Sequence, residues 1–187
     1  MASTWLLALT GLLTSTAVLI LATIFVAIAA TSLSSVRLPR ITPRTLLFAT
    51  PIAAWTAYVG WRACFIPPAN HDALAYHFTR AVLLARNHGF AHFFAPDGRI
   101  NDLPANYELL LAQVLLVMRS DRVTEWISVA FYLALLLATA ALVQRWWTSS
   151  APVAESVIAV AAAPVALLAS GADKNDLMTN VFCVAAI

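Results

Sequence analysis

Long runs without charge constrain this chain more than any other feature. Residues 1–36, 45–61, 126–144 and 156–172 contain no Asp, Glu, Lys or Arg. Each is near or above the length of a helix that crosses a bilayer, about 20 residues for roughly 30 Å of hydrocarbon. A soluble core accounts for one such run, not for a charge deficit along the whole chain. The 187 residues are 61% hydrophobic and 11% charged, against about 45–50% and 25% in soluble domains. That excludes disorder, a collagen-like fibre, a small disulfide scaffold and an ordinary soluble enzyme.

Five spans follow from this pattern, and with them an all-α polytopic transmembrane helix bundle. Trp5 to Ala30 is one continuous apolar run. It has no basic n-region and exceeds the roughly 7–15 residues of a signal-peptide core, so it reads as a retained span. Residues 45–61 form a second, slightly short span with Trp55, Tyr58 and Trp61 as an interfacial belt. Residues 126–144 form a third, ending at Arg145, Trp146 and Trp147. Residues 156–172 form a fourth, bent at Pro164. Residues 177–187 begin a fifth; eleven residues reach only about 17 Å, so the sequence is expected to be the start of a longer polytopic protein.

Basic residues orient the spans. Arg37, Arg40 and Arg44 lie in a loop without acids, and Arg145 lies in the turn after the third span. Both loops are expected in the cytoplasm. The segment 62–125 balances six Arg against six acids and belongs outside, with the loop near 171–176. The N-terminus is then outside. Arg outnumbers Lys ten to one, which together with abundant Ala fits a GC-rich bacterial genome. No basic cluster is dense enough for nucleic acid. Cys64 and Cys183 support neither a disulfide framework nor a zinc site.

The outer loop, residues 66–122, carries the polar chemistry. After Pro67-Pro68, Asn70 is a good N-cap for a helix from His71. Leu74, Phe78, Ala81, Val82 and Ala85 give it one apolar stripe, and Gly89 is a natural stop. Asp72, Tyr76 and Arg80, four apart, line up on the other side. Such a juxtamembrane helix is expected to lie flat at the surface. Residues 105–119 predict a second interfacial helix, too short to span, with Glu108 near its N-terminus.

Each polar residue has an ordinary explanation. Asp72 and Glu108 suit helix N-termini. Arg80 can snorkel to headgroups, and Tyr76 and His77 can be interfacial tips. Asp173 fits a helix cap. The grouping D-x-x-x-Y-H-x-x-R is harder to dismiss, as is Asp176 in the first turn of a membrane helix. His71, His77, His88 and His92 lack diagnostic metal spacing and read as structural. There is no nucleotide-binding glycine loop, no G-x-S-x-G and no zinc signature.

This order of spans, outer acids and juxtamembrane helices resembles the polytopic glycosyltransferases of the GT-C superfamily, among them the protein O-mannosyltransferase and lipid A aminoarabinose transferase types. NHDALAYHFTRAVLLARNHGF is similar to their acidic first-loop motif. LPANYELLLAQVLLVM is similar to the P-P-x-x-E-L-L helix, with Ala105 and Asn106 where a second proline and its neighbour often stand. SGADKNDL is similar to the N-D-L segment after the following span pair. The resemblance covers roughly 45–187, about the N-terminal third of a usual member, and leaves 1–44 as an extra N-terminal span with its basic loop.

The resemblance implies an enzyme of the bacterial plasma membrane whose active face is extracytoplasmic. It would transfer a sugar from a polyprenyl-phosphate donor to a hydroxyl on a lipid, glycan or protein. Asp72 would be the general base, helped by burial. Arg80 or Lys174 would neutralise the donor phosphate. Asp176 and Glu108 would orient acceptor or sugar or help hold a divalent metal, whose use the resemblance leaves open. Tyr76, His77 and Asn175 would line the substrate site. The competing expectation is a non-enzymatic polytopic protein: a remnant, a subunit or part of a transporter. Transporters favour charges at the bilayer midplane, whereas these cluster at the outer face.

Overall fold

A computed structural model describes residues 2–33, 43–94, 98–102, 105–147, 150–170 and 176–186, and is all-α, with no strand among the described residues. Contacts divide the chain into two interleaved compact units. One comprises Met1–Leu38 with Ala69–Asp121, the other Pro39–Pro68 with Arg122–Ile187. The outer loop of the sequence reading thus forms one unit with the N-terminal segment.

The first unit begins with α1 (Ala2–Leu9) and α2 (Ser15–Leu33). The continuous span expected from Trp5 to Ala30 is therefore broken, and local chemistry explains the break. Gly11 takes φ +70°, a left-handed conformation that costs a glycine little. Leu12 N–H reaches Leu7 O at 2.8 Å, and Gly11 N–H points to Ala8 O at 3.4 Å. Together they form a Schellman stop. Thr14 Oγ1 then accepts from Ala17 N–H at 3.3 Å and caps α2.

A π-helical turn, Ala73–His77, runs directly into α4 (Phe78–Asn87); α5 (Arg99–Asp102) and α6 (Asn106–Met118) follow. Asp72 N–H donates to Asn70 Oδ1 at 2.9 Å, the cap expected at Asn70. Gly89 is not the left-handed stop of α4. His88 holds that position at φ +55°, and its Nδ1 lies 3.1 Å from Leu13 O. The glycine serves a close approach instead: a Cβ on it would collide with Ala8 O and press on Gly11.

The second unit contains α3 (Pro43–Phe65), α7 (Glu125–Trp146), α8 (Ser150–Ala161), α9 (Pro164–Ser170) and α10 (Asp176–Ala185). The short second span expected at 45–61 is a 23-residue helix that continues past Pro51. Among the described residues, α7 alone is long and apolar enough to cross a membrane; α8 and α9 add a second candidate if their 62° bend lies within one span. That bend falls at Pro164, where the ring removes an N–H. Tyr132 Oη on α7 donates to Ala161 O at 3.0 Å, satisfying a carbonyl at the broken end of α8. Trp55 Nε1 donates to Ser170 Oγ at 3.0 Å, tying α3 to the end of α9. Arg62 Nη2 spans both Glu125 oxygens at 2.9 and 3.0 Å and ties the end of α3 to the start of α7. Tyr132, Leu135, Leu136, Ala161, Ala166, Ala169 and Leu177 form the core.

Candidate functional site: a buried charged cluster beneath an exposed acid

The face of the π-turn and α4 that packs against α6 differs from the apolar stripe expected. Its buried residues are Ala73, His77, Phe78, Arg80, Ala81 and Leu84. Leu74 and Val82 of that stripe are 53% and 41% exposed. The stripe is rotated by about one residue, which turns His77 and Arg80 inward. The reason lies on α6, where Glu108 is 1% exposed and cannot remain there without partners.

His77 supplies the first partner. Its Nδ1 lies 2.8 Å from Glu108 Oε1, and the His77 side chain is also 1% exposed. Arg80 supplies the second. Burial lowers its basicity, while the charges of Glu108 and Asp102 act in the opposite direction. Tyr107 closes the cluster with its ring edge-on to His77, centroids 5.3 Å apart. His77 Nε2 and Glu108 Oε2 are among the buried side-chain atoms that have no hydrogen-bond partner.

Above this cluster lies a more open face. Asp72 is 36% exposed, and its Oδ1 lies 3.7 Å from Arg99 Nη1. The Arg99 guanidinium stands over the Tyr76 ring at 4.4 Å, a cation–π arrangement. Tyr76 in turn packs on the His77 ring, centroids 4.1 Å apart. Contacts therefore run from Glu108 through His77, Tyr76 and Arg99 to Asp72.

Five expected site residues, Asp72, Tyr76, His77, Arg80 and Glu108, come together in this unit, though not as expected. Asp72 and Tyr76 are near the surface, but Arg80 does not share their face. His77, Arg80 and Glu108 are enclosed between helices, so the direct substrate contacts expected of them are not available. The burial expected of Asp72 belongs to Glu108 instead. Asp176 lies in the first turn of α10, exposed, in the other unit. Lys174 and Asn175 lie outside the described residues.

Sequence reasoning missed Arg99, Asp102 and Tyr107. A four-residue helix carries the first two, and nothing local marks so short a helix. No group of three His, Cys, Asp or Glu among the described residues could hold a metal ion. Compared with protein-family models, curated proteins and solved structures, the chain matches none.

Proposed function

We propose that the chain is a polytopic membrane protein of the bacterial plasma membrane and a glycosyltransferase that uses a polyprenyl-phosphate-linked sugar. Two features support the membrane reading. The charged and polar side chains His77, Arg80, Glu108 and Glu125 are buried, while Leu74, Leu137, Val165 and Leu168 face outward. Ionisable groups turned inward and apolar groups turned outward fit a lipid solvent. The composition of the sequence agrees with it.

The observation that carries the enzymatic reading is Asp72, half-open beside Arg99 on a face underlaid by a buried charged cluster. In the reaction, the acceptor hydroxyl oxygen attacks the anomeric carbon of the donor sugar. The carbon–oxygen bond to the phosphate breaks, and polyprenyl phosphate leaves with the electron pair. Asp72 takes the hydroxyl proton as general base. Arg99, beside it, offers a guanidinium to the donor phosphate, the role expected from the sequence of Arg80 or Lys174. His77, Arg80 and Glu108 support this face from beneath. Tyr76 contributes to the same face.

The test is transfer of radiolabelled sugar from polyprenyl-phosphate donors to hydroxyl acceptors by the purified chain in lipid nanodiscs. Transfer with at least one donor supports the reading. Absence of transfer with all of them favours a second reading, a non-enzymatic membrane protein. The enclosure of His77, Arg80 and Glu108 favours that second reading, because a purely structural cluster is enclosed in the same way.

A further inference from the structure

We propose that His77 is a positioning residue: its bond to Glu108 holds the π-turn so that Tyr76 and Arg99 set the Asp72 carboxylate for reaction. This rests on the reading of Asp72 as the reacting base.

The π-turn begins immediately after Asp72 and ends at His77, closed by Phe78 N–H on Ala73 O. Its hydrogen-bonded loop holds one residue more than in an α-helix; such turns are rare and occur frequently at functional sites. This one is pinned at its last residue. His77 Nδ1 reaches Glu108 Oε1 across the helix interface at 2.8 Å, with both side chains out of solvent. The pin is specific to one ring nitrogen, since Nε2 lacks a partner. The bond between Nδ1 and the Glu108 carboxyl group fixes the ring plane.

The ring plane matters because Tyr76 packs on it at 4.1 Å, and Arg99 also stacks on Tyr76, at 4.4 Å. Arg99 Nη1 is 3.7 Å from Asp72 Oδ1. A tilt of the His77 ring therefore moves Tyr76, and through it the cation beside the base. The charged and titratable groups around the pair are Tyr76, Arg80 and Asp72 on its own segment, Tyr107 and Glu108 on α6, and Arg99 and Asp102 on α5. Residues 2–33 of the same unit carry none. The pair is thus the point where α6 sets the geometry of the exposed face.

The experiment compares wild type, His77→Phe, His77→Asn and Tyr76→Ala, as full chains in lipid nanodiscs. It reads sugar transfer from a polyprenyl-phosphate donor and amide hydrogen exchange over residues 72–78. His77→Phe keeps a ring but deletes Nδ1; transfer falls about 10²-fold in kcat with KM unchanged, and exchange quickens. His77→Asn returns an N–H near the Nδ1 position and restores kcat to within about tenfold. Tyr76→Ala breaks the contact chain outside the core and lowers kcat by a similar factor while leaving α6 protected. Wild-type kcat in both His77→Phe and Tyr76→Ala overturns the inference, as does failure of His77→Asn to improve on His77→Phe. If His77→Phe does not fold, Tyr76→Ala and His77→Asn decide alone. If wild type itself transfers no sugar, the enzymatic reading fails, and exchange alone decides: unchanged protection at 72–78 in His77→Phe overturns the positional role, and quickened exchange supports it.

Discussion

His77 Nδ1 and Glu108 Oε1 meet at 2.8 Å across 31 residues of sequence, between two helices and out of contact with solvent. This pair explains why a helix rich in Leu and Val turns His and Arg inward. Removing one partner strands the rest: Glu108→Leu leaves Arg80 buried without the counter-charge of Glu108. A broken buried pair costs about 3–5 kcal/mol. Thermal unfolding of the purified protein in detergent checks this, and a loss below about 1 kcal/mol would show the cluster to be dispensable.

Burial lowers the basicity of Arg80 more strongly than Glu108 and Asp102 raise it. The guanidinium is thus held in place at a desolvation cost. Replacing both charges, as in Arg80→Met with Glu108→Gln, is expected to recover most of the stability that Glu108→Gln alone loses. The same unfolding experiment decides; a double variant less stable than either single one contradicts this.

Two glycines separate backbone from side-chain crowding. A Cβ at Gly89 would meet the backbone of Ala8 and Gly11, whereas one at Gly60 would meet the far edge of the Trp126 ring at 2.6 Å. The ring can swing aside and the backbone cannot. Gly89→Ala is therefore expected to cost about 1–3 kcal/mol and Gly60→Ala less. Equal melting temperatures for the two variants would contradict the close approach.

The outward-facing residues Leu74 and Val82 are expected to touch lipid. Spin labels placed there, in a chain whose exposed Cys64 and Cys183 are changed to Ser, should be accessible to oxygen and shielded from a water-soluble nickel relaxant. Strong relaxation by the nickel reagent at both sites would place this face in water.

Much of the fold was legible where its causes are local. The uncharged run at 126–144 became α7, Pro164 marks the bend, and Asp176 opens α10. Apolar length and proline act within a few residues. The break after Leu9 was written in Gly11 and Thr14, but hydropathy does not register a Schellman stop or a cap. The buried face of α4 could not be read from α4, because its choice depends on Glu108, far away in sequence. The same holds for Arg99, whose position follows from packing of a four-residue helix on the π-turn. The residues of the buried cluster were thus legible by type and misread by face.

The most direct measurement is the rate of sugar transfer by Asp72→Asn against wild type, in right-side-out membrane vesicles with the lipid-linked donor supplied from outside. Loss of the base should lower the rate about 10²–10⁴-fold, with the variant inserted and folded as wild type. An Asp72→Asn chain that transfers sugar at the wild-type rate contradicts the account.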